Sequence, residues 1–296
     1  ASHDLDFIAH SFVRNKEDVI AVQDILDEYN SPIKIIAKIE NREGIRNLNE
    51  ILDHCHGIMI ARGDLGIELP AEEVPLAQKK MIRQCVKRRK VVITATQMLH
   101  SMISNPRPTR AEVSDVANAV LDGTDAVMLS GETAYGDYPR EAVETMVAIA
   151  GKAESQMKPI VKEGKVVKMH AVRYQLIKSA VDIAKTLKAR AVVVQTDSGR
   201  SARLLSAYRG KIPIMALSPN PTVMRQLALS FGVYAYHLKS QETLDEMVSE
   251  SVRTLLTADV IREEDLVVLV GSSPKMSQVT NFLEVGSAAQ FQGGRE

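Results

Sequence analysis

Ile33-Lys34-Ile35-Ile36-Ala37-Lys38-Ile39-Glu40-Asn41 is a short apolar run that ends in two charges, and Gly57-Ile58-Met59-Ile60-Ala61-Arg62-Gly63-Asp64-Leu65-Gly66 repeats the device further on. Short runs rich in Ile and Ala, separated by segments of helical periodicity, read as strands of a parallel sheet. Working outward, Leu5 to Val13 precedes them and Val91 to Thr96 and Asp125 to Ser130 follow, which makes five strands. Val113, Val116, Ala117, Val120 and Leu121 keep helical spacing, with Gly123 as a stop. Pro139 opens another helix, with Val143, Met146, Val147 and Ala150 on one face.

After about Ala153 the periodicity fades into the charged stretch Lys158-Pro159-Ile160-Val161-Lys162-Glu163-Gly164-Lys165, as in a linker. A second alternation then begins, with strands at Ala191 to Gln195, Pro213 to Leu217, Val233 to His237, Leu266 to Val270 and Asn281 to Val285. The expected organisation is therefore an α/β domain over 1–155, a linker over 156–170 and a second α/β domain over 171–296. A closed barrel of eight strand-helix units takes about 250 residues, and five units cannot close one. The chain starts almost inside a strand and without Met, so it is expected to be a piece of a longer protein.

The 296 residues are 45% hydrophobic and 25% charged, a globular composition with room for about two domains. Thirty-seven basic residues balance thirty-seven acidic ones, which excludes the positive field of a non-specific nucleic-acid or anionic-membrane binder. Cys55 and Cys85 cannot build a disulfide framework, and no apolar run approaches the ~20 residues of a membrane span. The expectation is a cytoplasmic protein with small-molecule partners.

Alternation places Lys38 and Glu40 on one side at the end of their strand, and the carboxyl ends of parallel strands are where α/β enzymes build sites. An ion pair capping the sheet is the bland alternative. Glu40 and Asp64 are the oxygen donors Mg²⁺ prefers, and Gly63 and Gly66 let backbone approach a ligand. Thr94-Ala95-Thr96-Gln97 and Leu129-Ser130-Gly131-Glu132 bring further polar groups to strand ends. Such residues taken singly read as caps; four successive polar ends read as a site. In the second domain, Thr196-Asp197-Ser198-Gly199-Arg200-Ser201 runs from a strand into a helix and suits either a phosphate or an ordinary cap. The basic run Lys79, Lys80, Arg83, Lys87, Arg88, Arg89 and Lys90 reads as a solvated helix face.

Ser11-Phe12-Val13-Arg14, Ala37-Lys38-Ile39-Glu40-Asn41, Ala61-Arg62-Gly63-Asp64-Leu65-Gly66, Ala95-Thr96-Gln97-Met98-Leu99, Pro106-Arg107-Pro108-Thr109-Arg110-Ala111-Glu112 and Leu129-Ser130-Gly131-Glu132-Thr133 together resemble the pyruvate kinase family in order and spacing. The resemblance implies a partial TIM-type (β/α) barrel, strands four to eight of eight, followed by a separate α/β regulatory sheet domain. It implies phosphoryl transfer from phosphoenolpyruvate to ADP, giving pyruvate and ATP in the last step of glycolysis, with Mg²⁺ and K⁺, in an allosteric homotetramer. By the same resemblance Lys38 faces the transferring phosphoryl group, Glu40 and Asp64 hold Mg²⁺, and backbone N–H groups of Gly63 and Asp64 bind the substrate carboxylate. Thr96 lies beside the enolate carbon, and Arg62, Phe12, Ser130 and Glu132 line or brace the pocket. Thr196, Ser198, Gly199, Arg200 and Ser201 match a sugar-phosphate effector loop. Asp197 there would repel phosphate, which leaves open a different effector or none. The K⁺ site, the nucleotide contacts and a lid domain match no part of this chain, so the chain alone is expected to be inactive or nearly so. Two other readings compete: a Mg²⁺-dependent pyruvate or phosphoenolpyruvate lyase, and a non-catalytic module for effector binding and oligomerisation.

Overall fold

The computed structural model describes residues 3–157, 171–273 and 280–292. The chain divides into two compact units, Ala1–Lys158 and Pro159–Glu296. From residue 158 onward, the linker expected over 156–170 lies outside the described residues.

The first unit holds β1 (Phe7–His10), β2 (Lys34–Ile39), β3 (Gly57–Ala61), β4 (Val91–Ala95) and β5 (Ala126–Met128) in one parallel sheet, ordered β1-β2-β3-β4-β5. Each strand pairs with its neighbour in sequence, as in an arc of a barrel, whereas a doubly wound sheet would reverse direction at a switch point. Every residue of β3 and β4 is buried, as expected for parallel strands covered on both faces. Gly57 is required by that packing, because an added Cβ would sit 2.8 Å from the Cβ of Val91 on β4. The intervening helices are closed by local chemistry. Asn41 accepts from the N–H of Gly44 at 2.7 Å, and Thr109 and Glu112 form a reciprocal capping box on the helix Arg110–Asp122. That helix stops at Gly123, whose φ of 94° is left-handed, and Pro139 opens the helix Pro139–Glu154.

All five strands are shorter than the sequence reading, β2, β3 and β4 by a single residue. β1 ends at His10 because Phe12, with φ 55°, turns out of the sheet, and β4 ends at Ala95 because Thr96 has φ 67°. β5 spans only Ala126–Met128, leaving Leu129 and Ser130 in the loop beyond it. The basic helix face is also only partly solvated: Lys79 pairs with Asp122, Arg88 with Asp53, and Lys90 donates to the carbonyl of Cys55.

The second unit holds β6 (Ala191–Gln195), β7 (Ile214–Ser218), β8 (Val233–His237), β9 (Leu266–Gly271) and β10 (Phe282–Ser287), in the order β10-β9-β6-β7-β8 with only β10 antiparallel. Ile177, Ala180, Leu205 and Leu227 pack on one face of this sheet, and Val248, Val252, Leu255 and Ala288 on the other. The chain runs outward from β6 in both directions, so a crevice opens past the carboxyl ends of β6 and β9. No helix among the described residues is long and apolar enough to cross a membrane.

Candidate active site

β2 delivers Lys38 and Glu40 to its carboxyl end with the alternation the sequence implies. Lys38 Nζ lies 2.7 Å from Glu40 Oε1 and 3.2 Å from the hydroxyl of Ser11. The Glu40 side chain is 1% exposed against 25% for Lys38, so a buried carboxylate meets a cation that still reaches solvent. The other Glu40 oxygen accepts the backbone N–H of Phe12, whose left-handed turn brings that N–H to it. The Phe12 ring itself is exposed. A groove of about 780 Å³ opens alongside, lined by Ser11, Phe12, Arg14, Asn41 and Arg42.

β3 ends where the helix Arg62–Glu68 begins, with Asp64 half-buried in its first turn. No protein group among the described residues holds the Asp64 carboxylate. The register Ile39↔Ile60 sets Glu40 beside the end of β3, just before that helix. Two carboxylates on adjoining strand ends are a sparse, all-oxygen donor set, and no cluster of three or more His, Cys, Asp or Glu occurs among the described residues. Such a set fits a cation that keeps water and substrate in its remaining positions, as Mg²⁺ does. An added Cβ at Gly66 would meet nothing within 4 Å, and one at Gly63 only ordinary contact with Thr96. Packing therefore demands glycine at neither position.

Thr96 and its neighbour Gln97 are both left-handed, at φ 67° and 52°, an uncommon state for a β-branched residue. The Thr96 hydroxyl accepts the N–H of Gly63 at 2.8 Å and donates to the carbonyl of Ala95 at 2.7 Å. Glu132, 1% exposed, accepts the N–H groups of Leu99 and Ser130, tying the loop after β4 to the loop after β5. The Ser130 hydroxyl oxygen is buried and has no hydrogen-bond partner among the described residues. Arg62 is engaged wholly by protein: Nη1 lies 2.7 and 2.6 Å from the two oxygens of Asp115, while Nη2 donates to the carbonyl of Thr96 at 2.6 Å.

In the second unit, Thr196 Oγ1 accepts the N–H of Gly199, whose φ of 73° starts the helix Arg200–Ser206. Ser201 is buried against the hydroxyl of Thr280 at 3.0 Å. A cavity of about 430 Å³ is lined by Thr196, Asp197, Ser198, Arg200, Ser201 and Lys239. Burial first, and the neighbouring Arg200 second, pull the pKa of Arg203 down to about 10. The cation so crowded stands beside this loop, with Arg203 Nη2 donating to the carbonyl of Ser198.

Comparison with known proteins accounts for both units. The model for the pyruvate kinase barrel domain matches residues 1–143, and that for the pyruvate kinase alpha/beta domain matches 175–286. The chain belongs to the pyruvate kinase family. It is similar to a pyruvate kinase of Borreliella burgdorferi, 45% identical over 300 aligned positions that cover the whole chain and 63% of that relative. Pyruvate kinases of Bacillus licheniformis and Geobacillus stearothermophilus are each 47% identical, over 95% and 91% of this chain and 48% and 46% of their own length. The chain thus spans between about half and two thirds of the curated relatives it matches.

Asp115 and Gln78 are the residues about this site that sequence reasoning passed over. Each is a single polar side chain on a helix and reads as surface; only the fold brings both to Arg62.

Proposed function

We propose that the chain carries the metal, lysine and carboxylate-binding part of a site that transfers the phosphoryl group of phosphoenolpyruvate to ADP, yielding pyruvate and ATP. The observation that carries this reading is the close pair of Lys38 and buried Glu40 at the end of β2, beside an Asp64 carboxylate that no protein group holds. Glu40 and Asp64 would hold Mg²⁺, which when bound supplies positive charge to the phosphoryl and carboxylate oxygens of the substrate. Lys38, a quarter exposed, presents its ammonium to the phosphoryl group in flight, where charge builds in the transition state. Backbone N–H groups of Gly63 and Asp64 take the substrate carboxylate, the Gly63 N–H exchanging the Thr96 hydroxyl for it. Thr96 sits at the enolate carbon, on the route of the proton that completes pyruvate. Ser130, with its buried hydroxyl, follows β5 at the same carboxyl end of the sheet, Glu132 and Arg62 brace the loops, and Phe12 anchors Glu40 through its N–H. No residue of this chain is assigned to K⁺ or to the nucleotide.

The loop Thr196 to Ser201 is proposed as a site for a phosphorylated effector. The cavity beside it supports this, because Thr196, Ser198, Arg200 and Lys239 line it with hydroxyls and cations that suit a phosphate. The gene product is proposed to work in the cytoplasm as a homo-oligomer. The first unit is expected to be prone to associate, because β1 and β5 are open edges of its sheet. Family membership leaves the lyase reading without support.

The test is ADP-dependent pyruvate formation by the natural gene product and its Lys38→Met variant. Loss of several powers of ten in turnover is expected, since electrostatic groups of this kind lower barriers by a few kcal/mol. Normal turnover in the variant would remove Lys38 from the mechanism.

A further inference from the structure

Thr96 and Gln97 form a turn whose one local side-chain hydrogen bond among the described residues, from the Thr96 hydroxyl to the carbonyl of Ala95, leaves Gln97 without support of its own. Two consecutive non-glycine residues in the left-handed region are strained and persist only when their surroundings over-determine them. Besides the Gly63 N–H that meets the Thr96 hydroxyl at 2.8 Å, two restraints act on the backbone around the turn. On the downstream side Glu132 accepts the N–H of Leu99 at 3.1 Å. On the upstream side one guanidinium grips the turn itself: Arg62 Nε donates to the carbonyl of Ala95 at 3.3 Å and Nη2 to the carbonyl of Thr96 at 2.6 Å.

That guanidinium is 9% exposed, so it needs a counter-charge, and a planar fork needs a fixed direction. Asp115, on the helix Arg110–Asp122, supplies both. Its two oxygens meet Nη1 at 2.7 and 2.6 Å, and the buried Gln78 adds a weaker contact to the same nitrogen at 3.4 Å. Holding Nη1 from the helix side turns the Nε and Nη2 edge toward the two carbonyls. Without the carboxylate the same arginine would be a buried, unpaired cation with every reason to leave the turn for water.

We propose that Asp115 is a positioning residue, which through Arg62 holds the left-handed Thr96-Gln97 turn and so sets where the Thr96 hydroxyl stands. The consequence for chemistry rests on the proposed function, in which Thr96 lies on the proton route; the geometric claim does not.

The test therefore has two readouts. In the natural gene product with labelled threonine methyls, the Thr96 signal, identified by its loss in Thr96→Ser, is expected to move in Asp115→Asn and to return toward its wild-type position in Asp115→Glu. Arg62→Lys keeps a charge opposite Asp115 but cannot span both carbonyls; it is expected to move the signal as well, and it serves if Asp115→Asn does not fold. In the natural gene product, deuterium exchange at the pyruvate methyl group reports the proton step alone. A methyl proton leaves, its C–H electron pair forms the enolate, and the enolate carbon takes a solvent deuteron to form a C–D bond. Asp115→Asn is expected to slow this exchange about 10- to 100-fold, the scale of a small misplacement, while the midpoint for Mg²⁺ stays within about twofold. An unmoved Thr96 signal, or exchange per folded molecule that is unchanged while only the melting temperature falls, overturns the proposal. A wild-type protein that neither exchanges pyruvate protons nor makes pyruvate overturns the functional reading instead, and the methyl signal still decides the role of Asp115.

Discussion

Replacing Lys38 by Met is expected to destabilise the first unit in a way that Mg²⁺ repairs. The ammonium stands 2.7 Å from a carboxylate that is 1% exposed. At an effective dielectric of about 20 that separation corresponds to an attraction of roughly 6 kcal/mol. The variant keeps the desolvated Glu40 and loses its cation, which for a buried pair costs about 3–5 kcal/mol. Lys38 is a quarter exposed, so solvent screens part of the pair and discounts this cost to about 2–3 kcal/mol. For a unit of about 150 residues each kcal/mol shifts Tm by roughly 2–4 °C, giving a fall of about 5–10 °C. A divalent cation on Glu40 and Asp64 would replace the lost charge, so saturating Mg²⁺ should raise the Tm of Lys38→Met more than that of wild type. Differential scanning calorimetry with and without Mg²⁺ measures both numbers. A variant that melts within about 2 °C of wild type and shows the same Mg²⁺ increment refutes the reasoning, since Glu40 would then not depend on its neighbour.

Glu132→Ala leaves the N–H groups of Leu99 and Ser130 without their acceptor, and at about 1–3 kcal/mol each the urea midpoint should fall by an amount matching roughly 2–5 kcal/mol. A fall below 1 kcal/mol would mean those groups find other partners. Gly57→Ala forces β3 and β4 apart at Val91 and should cost at least about 1–3 kcal/mol in the same assay, whereas Gly66→Ala, which meets nothing, should be nearly neutral. Burial alone would raise the pKa of Glu112, but hydrogen bonds from Ser101 and Thr109 outweigh it and hold the carboxyl below its ordinary 4.5. A depressed folded pKa gives stability that is complete above about pH 4.5 and fades as pH falls through the folded value. The stability gap between wild type and Glu112→Gln should accordingly be constant near neutrality and shrink below that pH; a constant gap down to pH 3 would contradict it.

The strands were legible because parallel sheets bury both faces and leave dense apolar runs, as at Ile58 to Ala61 and Val91 to Ala95. Their carboxyl ends were less so. The runs continue in letters past the point where Phe12 and Thr96 turn left-handed, and nothing in a Phe or a Thr announces positive φ. Lys38 and Glu40 could be paired from period-two alternation, since both lie on one strand. The bond from the Phe12 N–H to Glu40 joins loops 28 residues apart and could not be foreseen. Arg62 entered only through the family resemblance, as a residue that lines or braces the pocket, and no spacing announces that its guanidinium meets Asp115, 53 residues away. Contacts within one element follow from spacing, and contacts between elements wait on tertiary structure.

The central claim is that Glu40 and Asp64 share one divalent cation beside the Lys38 ammonium. Anomalous diffraction from crystals of the gene product grown with Mn²⁺ in place of Mg²⁺ tests it most directly. The account predicts a single strong peak with one oxygen from each carboxylate at about 2.0–2.2 Å, the distance expected for a hard octahedral ion, and no peak there in Asp64→Ala. A metal seated away from either carboxylate, or full occupancy retained in Asp64→Ala, would contradict it.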